Sequence, residues 1–130
     1  MTKEINTAYS YEIIIKVHVT MKVIYNNIIP FKGFSAMNLF GVIFARKEYY
    51  PISNRTVRHE TIHSFQMKEL LYIGFYIIYL LEWLIRILIY PFTKTNPYRS
   101  ISFEQEAYKH QDDQDYASTR KPFAQWRKKQ

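Results

Sequence analysis

The chain has 130 residues, a formal charge of +7 and no cysteine. That length predicts one domain with a core of limited size, and the missing thiols exclude disulfides and thiolate metal sites, so any zinc must be held by histidine and carboxylate. The basic excess suits an anionic partner such as a lipid surface, whereas no nucleic-acid-binding signature accompanies it and no nucleic acid is expected.

Apolar residues alternate over residues 13–25 (Ile13, Ile15, Val17, Val19, Met21, Val23, Tyr25), with Lys16, His18, Thr20 and Lys22 between them. This period of two predicts a half-buried strand, with His18 facing solvent. The first segment has no short apolar core ending in small residues, so no secretory signal is expected and the cytoplasm is the expected compartment. Met21 offers an alternative translation start to Met1. Pro30 and Gly33 break the alternation, and Phe40 to Glu48 reads as another strand. After Pro51, the polar run Ser53-Asn54-Arg55-Thr56 supplies turn and N-cap chemistry for a helix from about residue 55 to Gly74.

That helix carries the most informative string in the chain, His59-Glu60-Thr61-Ile62-His63, an HExxH pattern. Histidines at i and i+4 project from one helix face a turn apart, so both imidazoles can reach one metal ion. Glu60 follows the first of them, which sets its carboxylate beside the open coordination position. There it can take a proton from a water attacking a carbonyl. With this composition the string arises by chance in roughly one chain in a hundred or fewer, so a third ligand matters.

Leu70 to Phe92 is almost continuously apolar and long enough to span a bilayer with some tilt. Against a span stand Gly74, Pro91, and Glu82 with Arg86, whose i, i+4 spacing lets them neutralise one another. The rings of Tyr72, Tyr76, Tyr79, Trp83 and Tyr90 are scattered rather than banded. The segment is therefore divided at Gly74, with a second, very apolar helix running to about Tyr90. It is expected to lie in or on a membrane surface through residues 75–92; a core helix and a self-association face are the alternatives. A turn-rich loop, Thr93 to Pro97, returns the chain to a third helix capped by Ser100 or Ser102. This helix contains Ser102-Phe103-Glu104-Gln105-Glu106-Ala107-Tyr108, and a carboxylate from such a later helix completes a His₂Glu site with the fourth position left for water. Glu104 and Glu106 lie about 200° apart on a helix, so both cannot face one metal.

At these residues the chain resembles the gluzincin class of zinc metallopeptidases, which pair HExxH with a downstream glutamate. It resembles more closely small bacterial zincin-like proteins with an HExxHxxQ helix, here His59 to Gln66, and a later F-E-x-E-A segment, here Phe103 to Ala107. The second motif is also similar to the E-x-x-A-D pattern of the membrane-associated CaaX-protease and heat-shock-peptidase group, whose first glutamate binds zinc and whose aspartate steadies a histidine ligand. The resemblance implies zinc (Zn²⁺) held by His59, His63 and Glu104, with Glu60 as general base and Glu106 as the fallback ligand. Tyr108 stands where the aspartate would be and can support an imidazole only as a weaker acceptor. Tyr108, His110 and Tyr116 are the candidates for stabilising an oxyanion. In zincin-like folds the strand before the metal helix forms the cleft edge, so Phe40 to Glu48 is expected to hold extended peptide by strand addition.

Together these elements predict an α+β fold, a small zincin-like domain of residues 1–130. N-terminal antiparallel strands (1–52) precede a helical metal-binding core (53–110) made of the metal helix, the very apolar helix and the glutamate-bearing helix. Residues 111–130 form a polar and basic tail, opening with a solvated loop at Gln111 to Asp115. Five of its last eleven residues are Arg120, Lys121, Arg127, Lys128 and Lys129. The tail is expected to be solvated, with docking to anionic lipid or closure over the cleft as alternatives. The expected function is zinc-dependent hydrolysis of peptide or protein substrates near a membrane. The alternative is a non-catalytic zincin-like zinc-binding or membrane-associated interaction protein, and a third reading is a basic lipid-binding protein in which HExxH is accidental.

Overall fold

The computed structural model describes residues 9–15 and 19–127 and combines a four-stranded sheet with helices, an α+β arrangement. The alternating segment divides into β1 (Tyr9–Ile15) and β2 (Val19–Asn26), which pair antiparallel with Ile15 opposite Val19. The one strand expected over residues 13–25 is thus parts of two. No glycine, proline or asparagine interrupts the alternation to mark the division. His18, with its solvent-facing expectation, lies outside the described residues, as do Met1, Lys128 and Lys129. Along β2 the pattern holds, with Met21, Val23 and Tyr25 buried at every second position.

β3 (Ala36–Leu39) and β4 (Val42–Arg46) form a hairpin that turns at Phe40 and Gly41. Both turn residues have positive φ, 51° and 89°, as a two-residue connection between twisted strands requires. The strand expected from Phe40 therefore begins two residues later, and Lys47–Tyr49 is a 3-10 turn. The sheet order is β1-β2-β4-β3 with β2 and β4 parallel, so the sheet is mixed rather than wholly antiparallel. β3 carries the chain back along the outer edge, and β4 can then run in the direction of β2 without a helical crossover. Flanked on both sides, β4 has no free edge, so the expected peptide platform at Phe40 to Glu48 is corrected: the edge beside the helices is β3.

One core cluster joins the inward residues of β2 and β4 (Met21, Val23, Tyr25, Ile43, Ala45) to Ile52 and Val57. Val57 belongs to α1 (Asn54–Glu69), whose N-cap is Ser53: its hydroxyl accepts from the Thr56 backbone N–H at 3.1 Å. α1 ends earlier than Gly74, at a reversal through Leu71 and Tyr72, both at positive φ. Gly74 instead sits in the first turn of α2 (Ile73–Thr93), where an added Cβ would make only ordinary contact with Leu70. The second cluster packs Met67 of α1 and Phe75 of α2 against Ile101 and Phe103, the last in α3 (Ser102–His110).

Neither Ser100 nor Ser102 caps α3. Ser102 is its first residue, and both its backbone N–H and its hydroxyl donate to the Glu82 carboxylate of α2. Glu82 therefore serves across to α3 rather than along α2 toward Arg86. Pro91 lies inside the last turn of α2, which closes at Lys94 in a left-handed conformation. Beyond α3 the chain is not a solvated tail over its described part. α4 (Tyr116–Thr119) and a 3-10 turn at Ala124–Trp126 dock on α1 and α3, with Trp126 against the Phe103 ring and its indole N–H donating to Ser102 Oγ.

Ser53→Ala removes the cap of the helix that bears HExxH and should lower the unfolding free energy by about 1 kcal/mol, while Ser53→Asp should retain most of it. Denaturant melts check this; equal midpoints for wild type and Ser53→Ala would show that the cap contributes nothing.

Candidate metal centre

α1 presents His59 and His63 one turn apart, and α3 lays Glu104 against them. His59 Nε2 lies 3.1 Å from Glu104 Oε2, His63 Nε2 3.2 Å from Glu104 Oε1, and the two Nε2 atoms 3.2 Å from each other. A four-coordinate ion with ligands at about 2.0–2.1 Å holds its ligand atoms about 3.3–3.4 Å apart. The two nitrogens stand at close to that spacing from each other, and each has one Glu104 oxygen at close to it, Oε2 for His59 and Oε1 for His63. All three residues are buried, and among the described residues they are the one group of this kind that could hold a metal ion.

The far side of each imidazole decides whether its Nε2 lone pair faces inward. His63 Nδ1 is 2.7 Å from Gln66 Oε1, and the Gln66 amide is fixed because its nitrogen donates to Phe103 O at 3.1 Å and to Glu106 Oε2 at 2.8 Å. His63 therefore carries its proton on Nδ1 and turns Nε2 to the cluster. His59 Nδ1 lies 3.1 Å from Gln111 Oε1, the arrangement that matches a metal on Nε2. The reversed Gln111 amide would accept from Arg55 and donate to His59 Nδ1, and it goes with the opposite tautomer. Amide orientation and ligand readiness are thus coupled at His59, whereas they are locked at His63.

Two imidazole nitrogens and a carboxylate converging at the buried wall of a cleft could hold a metal ion. Burial by itself would push the His63 pKa down, but the charge of Glu104 and its hydrogen bond outweigh this and raise it to about 9. Burial likewise opposes ionisation of Glu104, yet the two histidines hold its carboxyl well below the usual range. The Tyr79 hydroxyl donates to Glu104 Oε1 at 2.9 Å, and Tyr98 also hydrogen-bonds this carboxylate. Neither tyrosine was expected at the site; nothing in their spacing distinguishes them among twelve tyrosines.

Glu60 lies on the same turn as His59 and lines a cleft of about 530 Å³ together with His63 and Glu104. Burial raises its pKa, opposed by the neighbouring histidines and by a hydrogen bond from the Asn38 backbone. The Asn38 side chain in turn donates to Glu60 O at 2.8 Å and Ser64 Oγ at 2.6 Å, stitching the edge strand β3 to α1. The rest of the lining is mostly apolar, including Ile29, Phe31, Phe34, Met37, Met67 and Phe75. No residue after Glu104 lines the cleft, so the described part of the C-terminal segment does not close over it.

Four expected site residues fall elsewhere or act differently. Glu106 faces away from the histidines and binds Gln66, Tyr116 and Arg120, so it is no fallback ligand. Tyr108 meets the His59 ring edge-on at 4.6 Å, under the Arg99 guanidinium, and leaves the Nδ1 partnership to Gln111. His110 stacks on Tyr116 at 3.7 Å, outside the cleft, and the Tyr116 hydroxyl donates to Glu106. Neither is placed to stabilise an oxyanion at this centre.

Comparison with known protein families, with curated proteins and with solved structures returns no match to this chain. The metal reading therefore stands on the geometry.

A metal ion needs neutral imidazole, while His63 in the metal-free fold keeps its second proton up to about pH 9. Loading at pH 7 should therefore expel about one proton, and affinity should climb with pH until about 9 and then level. Calorimetric titration with a divalent ion in two buffers of different ionisation enthalpy measures this; binding without proton release would contradict a protonated His63.

Proposed function

We propose that this chain is a small zincin-like, zinc-dependent metallopeptidase that works at a membrane. The observation that carries the hydrolytic reading is that Glu60, His63 and Glu104 line one open cleft. Two imidazoles and a carboxylate suit zinc. Zinc held by His59, His63 and Glu104 would supply Lewis-acid polarisation of a carbonyl and acidify a water.

The chain's own residues do the remaining work. Glu60, its proton affinity raised by burial, accepts the proton of the attacking water and returns it to the leaving amine. Tyr79 and Tyr98 line the cleft and fix the Glu104 carboxylate, which takes up their hydroxyl protons. The apolar wall excludes water and accepts apolar side chains of a peptide or protein substrate.

The membrane part rests on α2. Only Phe75 of its residues is buried, which favours an outward-facing helix over a core helix. Ile77, Leu80, Leu81, Leu84, Ile85 and Leu88 are exposed, while Glu82 and Arg86 are less exposed and lie on the stripe with Phe75 and Tyr79. Its outward surface is thus mostly hydrocarbon, with Trp83 and Tyr90 also exposed, and its 21 residues extend about 31 Å, comparable with a bilayer core. Arg120 contributes nothing to lipid docking, because its side chain is buried in ion pairs with Glu69 and Glu106.

Glu60→Gln should keep zinc and lose at least about a hundredfold in peptide hydrolysis, and chelation should abolish wild-type hydrolysis until zinc is restored. A Glu60→Gln protein as active as wild type would remove Glu60 from the mechanism. Zinc-loaded wild type without any hydrolysis across a peptide library would favour the non-catalytic, membrane-associated zinc-binding protein. Separately, Leu84→Glu with Leu88→Glu should abolish flotation with liposomes; unchanged flotation would refute the α2 contact.

A further inference from the structure

The buried charges of the C-terminal segment lead, through a continuous chain of hydrogen bonds, to the back of His63. The Arg120 side chain is only 4% exposed and Glu106 only 3%. Arg120 Nε and Nη2 both donate to the Glu106 carboxylate, and Nη1 pairs with Glu69. Tyr116 donates to Glu106 Oε1 at 2.8 Å, which leaves Oε2 to accept from Gln66 Nε2 at 2.8 Å. Gln66, fully buried, then presents its amide oxygen to His63 Nδ1 at 2.7 Å.

We propose that Glu106 and Arg120 are positioning residues for the metal centre: they dictate the orientation of the Gln66 amide and thereby the His63 tautomer that offers Nε2 to a metal. The inference rests on the metal reading of His59, His63 and Glu104 but not on hydrolysis. Its logic is one of donors and acceptors. A carboxylate at position 106 can only accept, so the Gln66 –NH₂ must face it and the Gln66 oxygen must face His63. An amide at position 106 breaks that rule. Arg120 claims the amide oxygen, and the –NH₂ is left against the –NH₂ of Gln66. Turning Gln66 relieves this clash at the expense of its bond to Phe103 O, and it directs a donor at His63 Nδ1, which selects the tautomer protonated on Nε2. That tautomer has no lone pair for a metal. Glu106→Gln is nearly isosteric, so its effect reports the proton pattern rather than packing.

Partners of metal-ligating histidines typically change metal affinity 10- to 100-fold when altered, and Glu106→Gln should cost about tenfold or more. The experiment is competition for Zn²⁺ against a chromophoric chelator, with wild type, Glu106→Gln, Arg120→Lys and Arg46→Met. Arg46 is another buried arginine, paired with Glu48 and with Pro30 O, and does not touch the histidines. It controls for loss of stability, which thermal melts of all four metal-free proteins record. Imidazole ¹⁵N spectra of the metal-free proteins, followed upward in pH until the His63 resonances stop moving, read the tautomer of the neutral ring directly.

The expected result is weakened zinc binding in Glu106→Gln and, to a smaller extent, in Arg120→Lys. Arg46→Met should bind as wild type does, and the His63 resonances of Glu106→Gln should move to the Nε2-protonated pattern. Equal affinity in wild type and Glu106→Gln overturns the inference, as does an equal loss in Glu106→Gln and Arg46→Met with an unchanged tautomer. Wild type that binds no divalent ion overturns the metal reading itself and this inference with it. Should Glu106→Gln not fold, Arg120→Lys decides alone: wild-type affinity and tautomer there overturn the inference.

Discussion

A buried carboxylate wedged between two imidazoles is the constraint around which this chain is organised. Glu104 is 2% exposed and within 3.2 Å of both histidine Nε2 atoms. Such a grouping is costly unless every remaining lone pair and proton has a partner. Satisfying it recruits parts of the chain remote from one another. Tyr79 comes from the apolar helix, Tyr98 from the returning loop, Gln66 from α1 itself and Gln111 from the turn after α3. The hydrophobic clusters bring these elements close, and the polar network fixes their register.

The same constraint accounts for an odd division of labour along α2. Its inner stripe is short of hydrocarbon contacts: Phe75 seals the second core cluster, Tyr79 reaches Glu104, and Glu82 serves the first residue of α3. Nearly all of its greasy surface is left to the outside. A helix that uses polar atoms inward and apolar ones outward reverses the usual soluble pattern. That is the ordering expected where the outer solvent is lipid.

Local chemistry was legible in the sequence and long-range pairing was not. HExxH at i, i+4 specified a shared helix face, and the argument that Glu104 and Glu106 point in different directions held, because both follow from helix geometry alone. Ser53 as a cap was readable for the same reason. The β1–β2 division was hidden because alternation runs into both strands, and the Phe40–Gly41 reversal because a single glycine inside an apolar run also reads as strand. Arg120 looked like one more surface charge in a basic run. Its acidic partners lie 51 and 14 residues away, on two other helices, and no local signal links them. Gln66 is visible as part of HExxHxxQ, but its role depends on Glu106, forty residues away on another helix, and no local signal links the two.

The β3–β4 register has a consequence for how much of an extended chain the edge strand can read. Leu39 pairs with Val42 and Met37 with Phe44, so the backbone groups of Asn38 and Ala36 are the ones that turn outward. Asn38 is already engaged: its N–H serves Glu60, and its carbonyl lies 3.5 Å from the Tyr76 hydroxyl. Only Ala36 keeps a full pair of outward main-chain groups within this four-residue strand. A ruler with a single graduation cannot measure sequence position along a peptide. Under the peptidase proposal, discrimination among substrates would then fall to the shape and greasiness of the cleft, with the strand supplying direction rather than length.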